Sequence, residues 1–158
     1  MKKVIIALDY DPSAEKVAET GYKIAKGMNA EVVLLHVVDE PSYYTSSAYS
    51  PVMGFVGFSG PEILEVDRGL HKEAQRFLKE SKKHLGDETI ETSVIEGDFV
   101  EAVLIAVNTF NADLLVMGSH SRRGIEKLLI GNLAEKILNQ IHIPLLAVPT
   151  HTEEQSKK

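Results

Sequence analysis

Residues Lys3 to Leu8 have the sequence KVIIAL, a short and continuously apolar run rich in β-branched side chains. Such a run is typical of a strand that is buried on both faces of a parallel sheet. It stops at Asp9, and Asp11-Pro12-Ser13 then supplies capping side chains and a proline suited to a first helical turn. Apolar residues recur at helical spacing until Gly27 and Asn29. The sequence therefore predicts a strand, a loop and a helix.

The same alternation continues along the chain. Ile90 to Ile95 alternates apolar and polar residues, which predicts a strand near a sheet edge. Pro61 to Leu85 has a helical apolar stripe, and further helices are predicted to open near Asp98 and at Gly131-Asn132. The other predicted strands are continuously apolar: Glu31 to Val38 (EVVLLHVV), Asp113 to Met117 (DLLVM) and Pro144 to Val148 (PLLAV).

Five short strands separated by helices imply right-handed crossovers and one parallel sheet covered on both faces. In such sheets ligands bind beyond the carboxyl ends of the strands, where the winding reverses. The residues of interest therefore follow the first, second and fourth strands: Asp9, residues 37–39 and the loop that begins at Gly118.

Length and composition fit one globular domain, residues 1–150, followed by a polar tail at residues 151–158. The net charge of −6 argues against general binding to nucleic acid or to acidic membranes, which requires many cations. The absence of cysteine excludes disulfides, thiolate zinc sites and cysteine nucleophiles, and fits a cytoplasmic protein. No run approaches the roughly 20 apolar residues that span a bilayer, so no membrane segment is expected.

Three glycines, Gly118, Gly124 and Gly131, lie near a strand end and two expected helix starts. Backbone amides at such places point outward and can bind phosphate, although glycines after strands are also common turn residues. Asn132, with Glu135 three residues later, is an N-cap candidate, so it could serve only to stabilise its helix. Spacing alone leaves both interpretations open.

The chain also resembles a known family, the universal stress proteins. The resemblance covers nearly the whole chain and rests on four stretches: KVIIALDYDPSAEKV, EVVLLHVVDE, EGDFVEAVLIAVNTFNADLLVMGSHSRRGIEKLLIGNLAEKIL and IPLLAVP. It implies a three-layer α/β sandwich of the Rossmann-like, adenine nucleotide alpha hydrolase-like type, with a five-stranded parallel sheet of order 3-2-1-4-5. It also implies a stress-response or signalling role exerted through conformation or assembly.

In the ATP-binding branch of that family the nucleotide loop has the form G-x2-G-x9-G-S/T. The corresponding residues here are Gly118, Ser121, Gly131 and Asn132, so the first and third match. Ser121 adds a Cβ where the backbone should approach phosphate. Asn132 keeps a short polar side chain, which is the milder change.

The resemblance implies a site for ATP, or for ADP or AMP, with Mg²⁺ as an optional companion. Asp9 would take a ribose hydroxyl or hold the cation, although a turn or capping role is its simpler interpretation. Arg122 would offset phosphate charge, whereas loop arginines are more often only solvated. The residues that would line the adenine and ribose side are Ala7, Leu8, Asp9, Val37, Met117 and Gly118. Those that would surround the phosphates are His120, Ser121, Arg122, Gly131, Asn132 and Leu133.

Two histidines have no predicted role in chemistry. His36 lies in an apolar strand and is interpreted as a satisfied core histidine, and His120 lacks the positioned partner that a catalyst needs. No histidine pair has metal-ligand spacing, so no metal site and no catalytic residue is proposed. At most slow ATP hydrolysis is expected.

The segment between Glu40 and Pro61 is rich in tyrosine and phenylalanine, which favours a lid or an interaction surface over disorder. The last strand, PLLAVP, is predicted to lie at a sheet edge, and the resemblance implies a homodimer through this region.

Two alternatives to a nucleotide-binding protein remain. One is a dimeric interaction module of the same fold that binds no nucleotide, which the departure at Ser121 favours. The other is a true enzyme of a related fold, but the phosphate motifs of adenylyl-transferring enzymes and of P-loop proteins are missing from the sequence.

Overall fold

The structure is a computed structural model that describes residues 2–10, 12–38, 61–119 and 131–150. For residues 61–68 and 131–132 it describes the backbone alone. The elements, in chain order, are β1 (Lys3–Ala7), α1 (Ala14–Gly27), β2 (Glu31–Val38), α2 (Pro61–Leu85), β3 (Glu91–Glu96), α3 (Phe99–Phe110), β4 (Leu114–Gly118), α4 (Gly131–Leu138) and β5 (Leu145–Val148).

The strands form one five-stranded sheet in the order β3-β2-β1-β4-β5, and every neighbouring pair is parallel. This confirms the predicted fold class and strand order. β1 lies at the centre, where Ala7 is opposite Leu35 of β2 and Met117 of β4. β3 is an edge strand with no fully buried residue, as its alternating pattern predicted. β5 forms the other edge.

Side chains of β1 point alternately into two apolar cores, one on each face of the sheet. Ile5 and Ala7 belong to the core that α3 and α4 cover. Val4, Ile6 and Leu8 belong to the core that α1 and α2 cover. Because both faces are covered, the central strands need apolar residues at every position, which explains the continuous run KVIIAL.

Helix α1 lies very close to the sheet at Gly21. A Cβ at this position would be 2.8 Å from Ile6 Cδ1 and 3.2 Å from Val116 Cγ1. Both of those side chains are fully buried, on the neighbouring strands β1 and β4. Glycine is therefore required here by the space available, since any side chain would overlap the core.

The ends of α1 and α3 follow the predicted signals with two corrections. Asn29 has a left-handed φ of 56° just beyond α1, and Asp98 caps α3 by accepting the Glu101 N–H at 3.1 Å. Ser13 occupies the N-cap position of α1, but its hydroxyl makes no capping hydrogen bond because the residue has helical dihedral angles. Pro12 lies in the turn before α1 rather than in its first turn.

β5 begins at Leu145, one residue later than predicted, since Pro144 has no N–H to donate. The Pro144 carbonyl still accepts the Leu115 N–H at 3.0 Å. The lid or interface segment 40–60, the tail 151–158 and most of the Gly118 loop lie outside the described residues. The assignment of residues 1–150 to a single domain stays a prediction.

Candidate functional site

The carboxyl ends of β1 and β4 lie side by side at the point where the strand order reverses. β1 pairs with β2 on one side and with β4 on the other. After β1 the chain forms β2 and β3 on one side of it, and then β4 and β5 on the other side. Such a reversal opens a crevice between the two outgoing loops, which is the usual ligand site of open parallel sheets.

The turn after β1 contains the predicted residue Asp9. Leu8 is buried, and its N–H donates to the Leu35 carbonyl at 2.8 Å, so β1 stays attached to β2 beyond its last strand residue. Asp9 and Tyr10 are half-buried. The Asp9 carboxylate accepts the Tyr10 N–H through Oδ1 at 2.8 Å. The carboxylate is thereby oriented by the turn that carries it.

Four predicted residues share one face of the sheet. Ala7, Val37 and Met117 are buried members of the same apolar core, and Leu133 of α4 packs against it. Ala7 and Met117 are directly opposite each other, and Val37 is on the neighbouring strand β2. These four residues therefore belong to one apolar core, and their role as the wall of a ligand site stays a prediction.

The end of β4 is fixed to the end of β5 by a residue that sequence analysis missed. Gly118 is opposite Val148, and the Ser119 N–H donates to the Val148 carbonyl at 2.8 Å. The buried Ser119 Oγ accepts the Thr150 N–H at 2.9 Å and lies 3.2 Å from Thr150 Oγ1. Thirty-one residues separate the two in sequence, so no local pattern could have paired them. The start of the Gly118 loop is therefore held in place.

The phosphate side of the predicted site is described in part. Gly131 and Asn132 lie in the first turn of α4, where the backbone alone is described. Because α4 begins at Gly131, Asn132 is its second residue, and the expectation that Asn132 occupies the N-cap position is wrong. His120, Ser121 and Arg122 lie outside the described residues, and their roles toward phosphate stay predictions.

A cluster of three rings lies beneath the turn after β1. His36 is 2% exposed, and its Nδ1 lies 2.8 Å from the Leu8 carbonyl oxygen, which confirms the expected satisfied core histidine. The His36 ring centroid is 4.4 Å from that of Tyr10 and 5.5 Å from that of Phe77. The three rings come from β2, the β1 turn and α2. Sequence analysis found the histidine but not its two aromatic neighbours.

A second cluster, Glu15, Glu19 and His84, joins α1 to α2 on the surface. His84 Nε2 lies 3.0 Å from Glu15 Oε1 and 2.7 Å from Glu19 Oε1. The hydrogen bond that the His84 imidazole donates to Glu19 and the negative charge of Glu15 raise the pKa of His84. A protonated imidazole between two carboxylates satisfies this geometry, so we describe the cluster as an ion-pair network. No local sequence pattern predicts this cluster, because 65 residues separate Glu19 from His84.

Further ion pairs lie near the amino ends of the strands, away from the crevice. The Lys26 ammonium is 2.7 Å from Asp87 Oδ2. Lys26, the two hydrogen bonds from Thr89 and the Tyr22 hydroxyl hold the pKa of Asp87 well below its usual range. This network fixes the end of α1 to the loop before β3. Within the described ranges, no helix combines the length and the apolar character that crossing a membrane would require.

Comparison with known proteins agrees with this architecture. The sequence profile of the Universal stress protein family matches residues 1–149. Universal stress protein MJ0531 of Methanocaldococcus jannaschii is 30% identical over 156 residues, which cover 97% of this chain and 85% of the relative.

Solved structures of the family have the same fold. The universal stress protein UspA of Lactobacillus plantarum gives a TM-score of 0.74 at 14% identity, over 93% of this chain and 97% of that one. An Arabidopsis thaliana family protein with AMP bound gives a TM-score of 0.59 at 18% identity, over 98% of this chain and 95% of that one. A universal stress protein in complex with cAMP gives a TM-score of 0.61 at 20% identity, over 95% of this chain and 98% of that one. Because the family profile spans nearly the whole sequence, the chain belongs to the universal stress protein family.

Proposed function

We propose that this protein binds an adenine nucleotide of the ATP type in the crevice beyond β1 and β4. The observation that carries the proposal is that Ala7, Val37 and Met117, near the carboxyl ends of three adjacent strands, share one apolar core, with the half-buried Asp9 just beyond β1. An apolar wall suits the flat face of adenine, and a carboxylate suits a sugar hydroxyl or a divalent cation. The two relatives described above with AMP and with cAMP support the same ligand class.

The phosphates would extend toward the Gly118 loop and the first turn of α4. Amides at a helix start carry partial positive charge, which favours an anion in a chain whose net charge is −6. Arg122 and His120 would add donors, and Asp9 would accept a ribose hydroxyl or hold Mg²⁺, which would offset the phosphate charge. We propose that the output is a change of conformation or assembly in stress response or signalling, in the cytoplasm, with at most slow hydrolysis.

Calorimetric titration with Mg-ATP tests the proposal. The protein is first freed of any nucleotide that copurified, which denaturation and mass spectrometry can verify. Micromolar binding with one site per chain is expected. Asp9→Asn should weaken it, because the neutral amide is a poorer acceptor for a hydroxyl and a poorer ligand for Mg²⁺. A folded protein that binds none of ATP, ADP and AMP at about millimolar concentration, where binding is weaker than about 4 kcal/mol, refutes the proposal.

A second candidate function is an interaction module that binds no nucleotide. Ser121, which replaces a glycine of the nucleotide loop, is the observation that favours it. Titration of Ser121→Gly separates the two functions. Equal affinity in both proteins supports nucleotide binding as the native function, whereas binding that appears in Ser121→Gly and is absent from the parent selects the interaction module.

Both candidates include a homodimer through the edge strand β5. Ala147 is exposed in this strand, so Ala147→Arg adds charge to the edge without filling the core. Light scattering after gel filtration should show a dimer for the parent and a shift toward monomer for Ala147→Arg. A parent that is monomeric at about 100 μM, where an interface with a micromolar dissociation constant would be mostly formed, contradicts the dimer.

A further inference from the structure

His36 is a polar side chain in a strand whose other buried residues are all apolar. Its register places it beside Leu8, and its Nδ1 lies 2.8 Å from the Leu8 carbonyl oxygen. A carbonyl oxygen can only accept a hydrogen bond, so this contact requires the tautomer with a proton on Nδ1. The imidazole therefore donates to the residue immediately before Asp9.

The same ring also supports the residue immediately after Asp9. Tyr10 packs on His36 with ring centroids 4.4 Å apart, and Phe77 of α2 packs on both, 4.9 Å from Tyr10 and 5.5 Å from His36. Aromatic contacts of this kind add directional stabilisation to the burial of the rings. His36 thus contacts Leu8 through a hydrogen bond and Tyr10 through a tilted ring–ring contact.

Asp9 lies between these two anchored residues. Its Oδ1 accepts the Tyr10 N–H at 2.8 Å, so the orientation of the carboxylate depends on where the Tyr10 backbone lies. We propose that His36 is a positioning residue that sets the Asp9 carboxylate to accept a ribose hydroxyl of the bound nucleotide. The inference rests on the proposed function and deepens it, because it assigns sugar selectivity to a buried histidine that lies beneath the turn.

The test compares the affinities of ATP and of 2′,3′-dideoxy-ATP, which lacks both ribose hydroxyls, by calorimetry. His36→Phe keeps a ring against Tyr10 and Phe77 but removes the donor. His36→Asn keeps an N–H near the position of Nδ1 and serves as the conservative variant. His142→Phe is the control, since His142 is exposed and lies in the loop before β5, at the opposite edge of the sheet.

If a ribose hydroxyl donates a hydrogen bond to the Asp9 carboxylate, the parent should bind ATP about tenfold or more tightly than 2′,3′-dideoxy-ATP. His36→Phe should reduce the preference to about twofold, His36→Asn should retain most of it, and His142→Phe should leave it unchanged. A double-mutant cycle with Asp9→Asn separates positioning from general damage. If His36 acts through Asp9, the double variant loses no more sugar preference than Asp9→Asn alone.

Several outcomes overturn the inference. The inference is wrong, although nucleotide binding stands, if the parent binds ATP and its dideoxy analogue equally. It is also wrong if His36→Phe keeps the parental preference for ATP, or if the losses of preference in the double-mutant cycle are additive. A parent that binds no adenine nucleotide removes the proposed function as well. Should His36→Phe fail to fold, His36→Asn and long-range ¹H–¹⁵N NMR of the parent carry the test. A proton on Nδ1 supports the inference, and an unprotonated Nδ1 at neutral pH overturns it.

Discussion

Replacement of Gly21 by alanine tests how closely α1 must approach the sheet. The new Cβ would lie 2.8 Å from Ile6 Cδ1, 2.9 Å from Ile6 Cγ1 and 3.2 Å from Val116 Cγ1. Neither side chain can move into solvent, because both are fully buried between α1 and the sheet. Overpacking of this kind costs about 1–3 kcal/mol, while alanine gains about 0.5–1 kcal/mol over glycine within a helix. We therefore expect Gly21→Ala to lower the free energy of unfolding by about 1–2 kcal/mol.

Gly27→Ala is the matched control in the same helix. A Cβ at Gly27 meets nothing within 4 Å, so only the helix preference remains and the variant should be stabilised by about 0.5 kcal/mol. Urea unfolding followed by circular dichroism measures the free energy of unfolding of both variants. An unchanged slope of this free energy against urea concentration would show that the unfolded states are comparable.

A double-mutant cycle identifies the contact responsible. Ile6→Val removes Cδ1, the atom closest to the new Cβ, and should cost about 0.5–1.5 kcal/mol in the parent but clearly less in Gly21→Ala. Additive effects, within about 0.3 kcal/mol, would show that Ile6 does not limit the approach. A Gly21→Ala protein as stable as Gly27→Ala would refute the steric argument altogether.

Three further predictions concern polar groups. Asp87→Asn should lower the free energy of unfolding at pH 7, because Lys26 and the other partners depress the folded-state pKa of Asp87 and so stabilise the fold while the carboxylate is charged. The difference in stability from the parent should shrink as the pH falls below about 4, where the carboxylate begins to be protonated. Urea midpoints from pH 7 to pH 3 measure this difference, and a difference that stays constant contradicts the prediction. His84→Gln should show the opposite dependence, since Glu19 raises the pKa of His84 and the contribution, present below the unfolded-state pKa, is lost as the pH rises through the folded-state value. Midpoints from pH 6 to pH 9 at low salt measure this, with molar salt expected to reduce the difference. Ser119→Ala removes a buried acceptor and should cost about 1–3 kcal/mol of unfolding free energy, whereas parental thermal stability would mean that another group satisfies the Thr150 N–H.

The fold could be predicted because its signals are local. The run KVIIAL and the run at Glu31 to Val38 are apolar at nearly every position, which requires cover on both faces and hence a parallel sheet with helices on each side. The less apolar strand at Glu91–Glu96 indicated an edge for the same reason. The remaining errors were at element ends, such as Ser13, where capping depends on one dihedral angle that the pattern does not determine.

The places in the fold of some candidate site residues could be predicted for a related reason, while their role in binding stays a prediction. Asp9 lies two residues beyond β1 and Gly118 is the last residue of β4, so the topology alone brings both to the carboxyl end of the sheet. The contacts among His36, Tyr10 and Phe77 join three elements, and no spacing in the sequence records which rings meet. Family resemblance predicts candidate ligand-facing positions but not the groups that hold those positions in place.

The distribution of buried polar groups connects these observations. Among the residues that the structure describes, two polar side chains are buried, His36 and Ser119. A buried polar group destabilises a fold unless its hydrogen bonds are made, and both of these bond to the backbone, at Leu8 and at Thr150. Each fixes the chain at the carboxyl end of a strand beside the reversal of strand order. If a ligand binds there as we propose, strand ends that are already held in place on both sides of the reversal would reduce the ordering cost of binding.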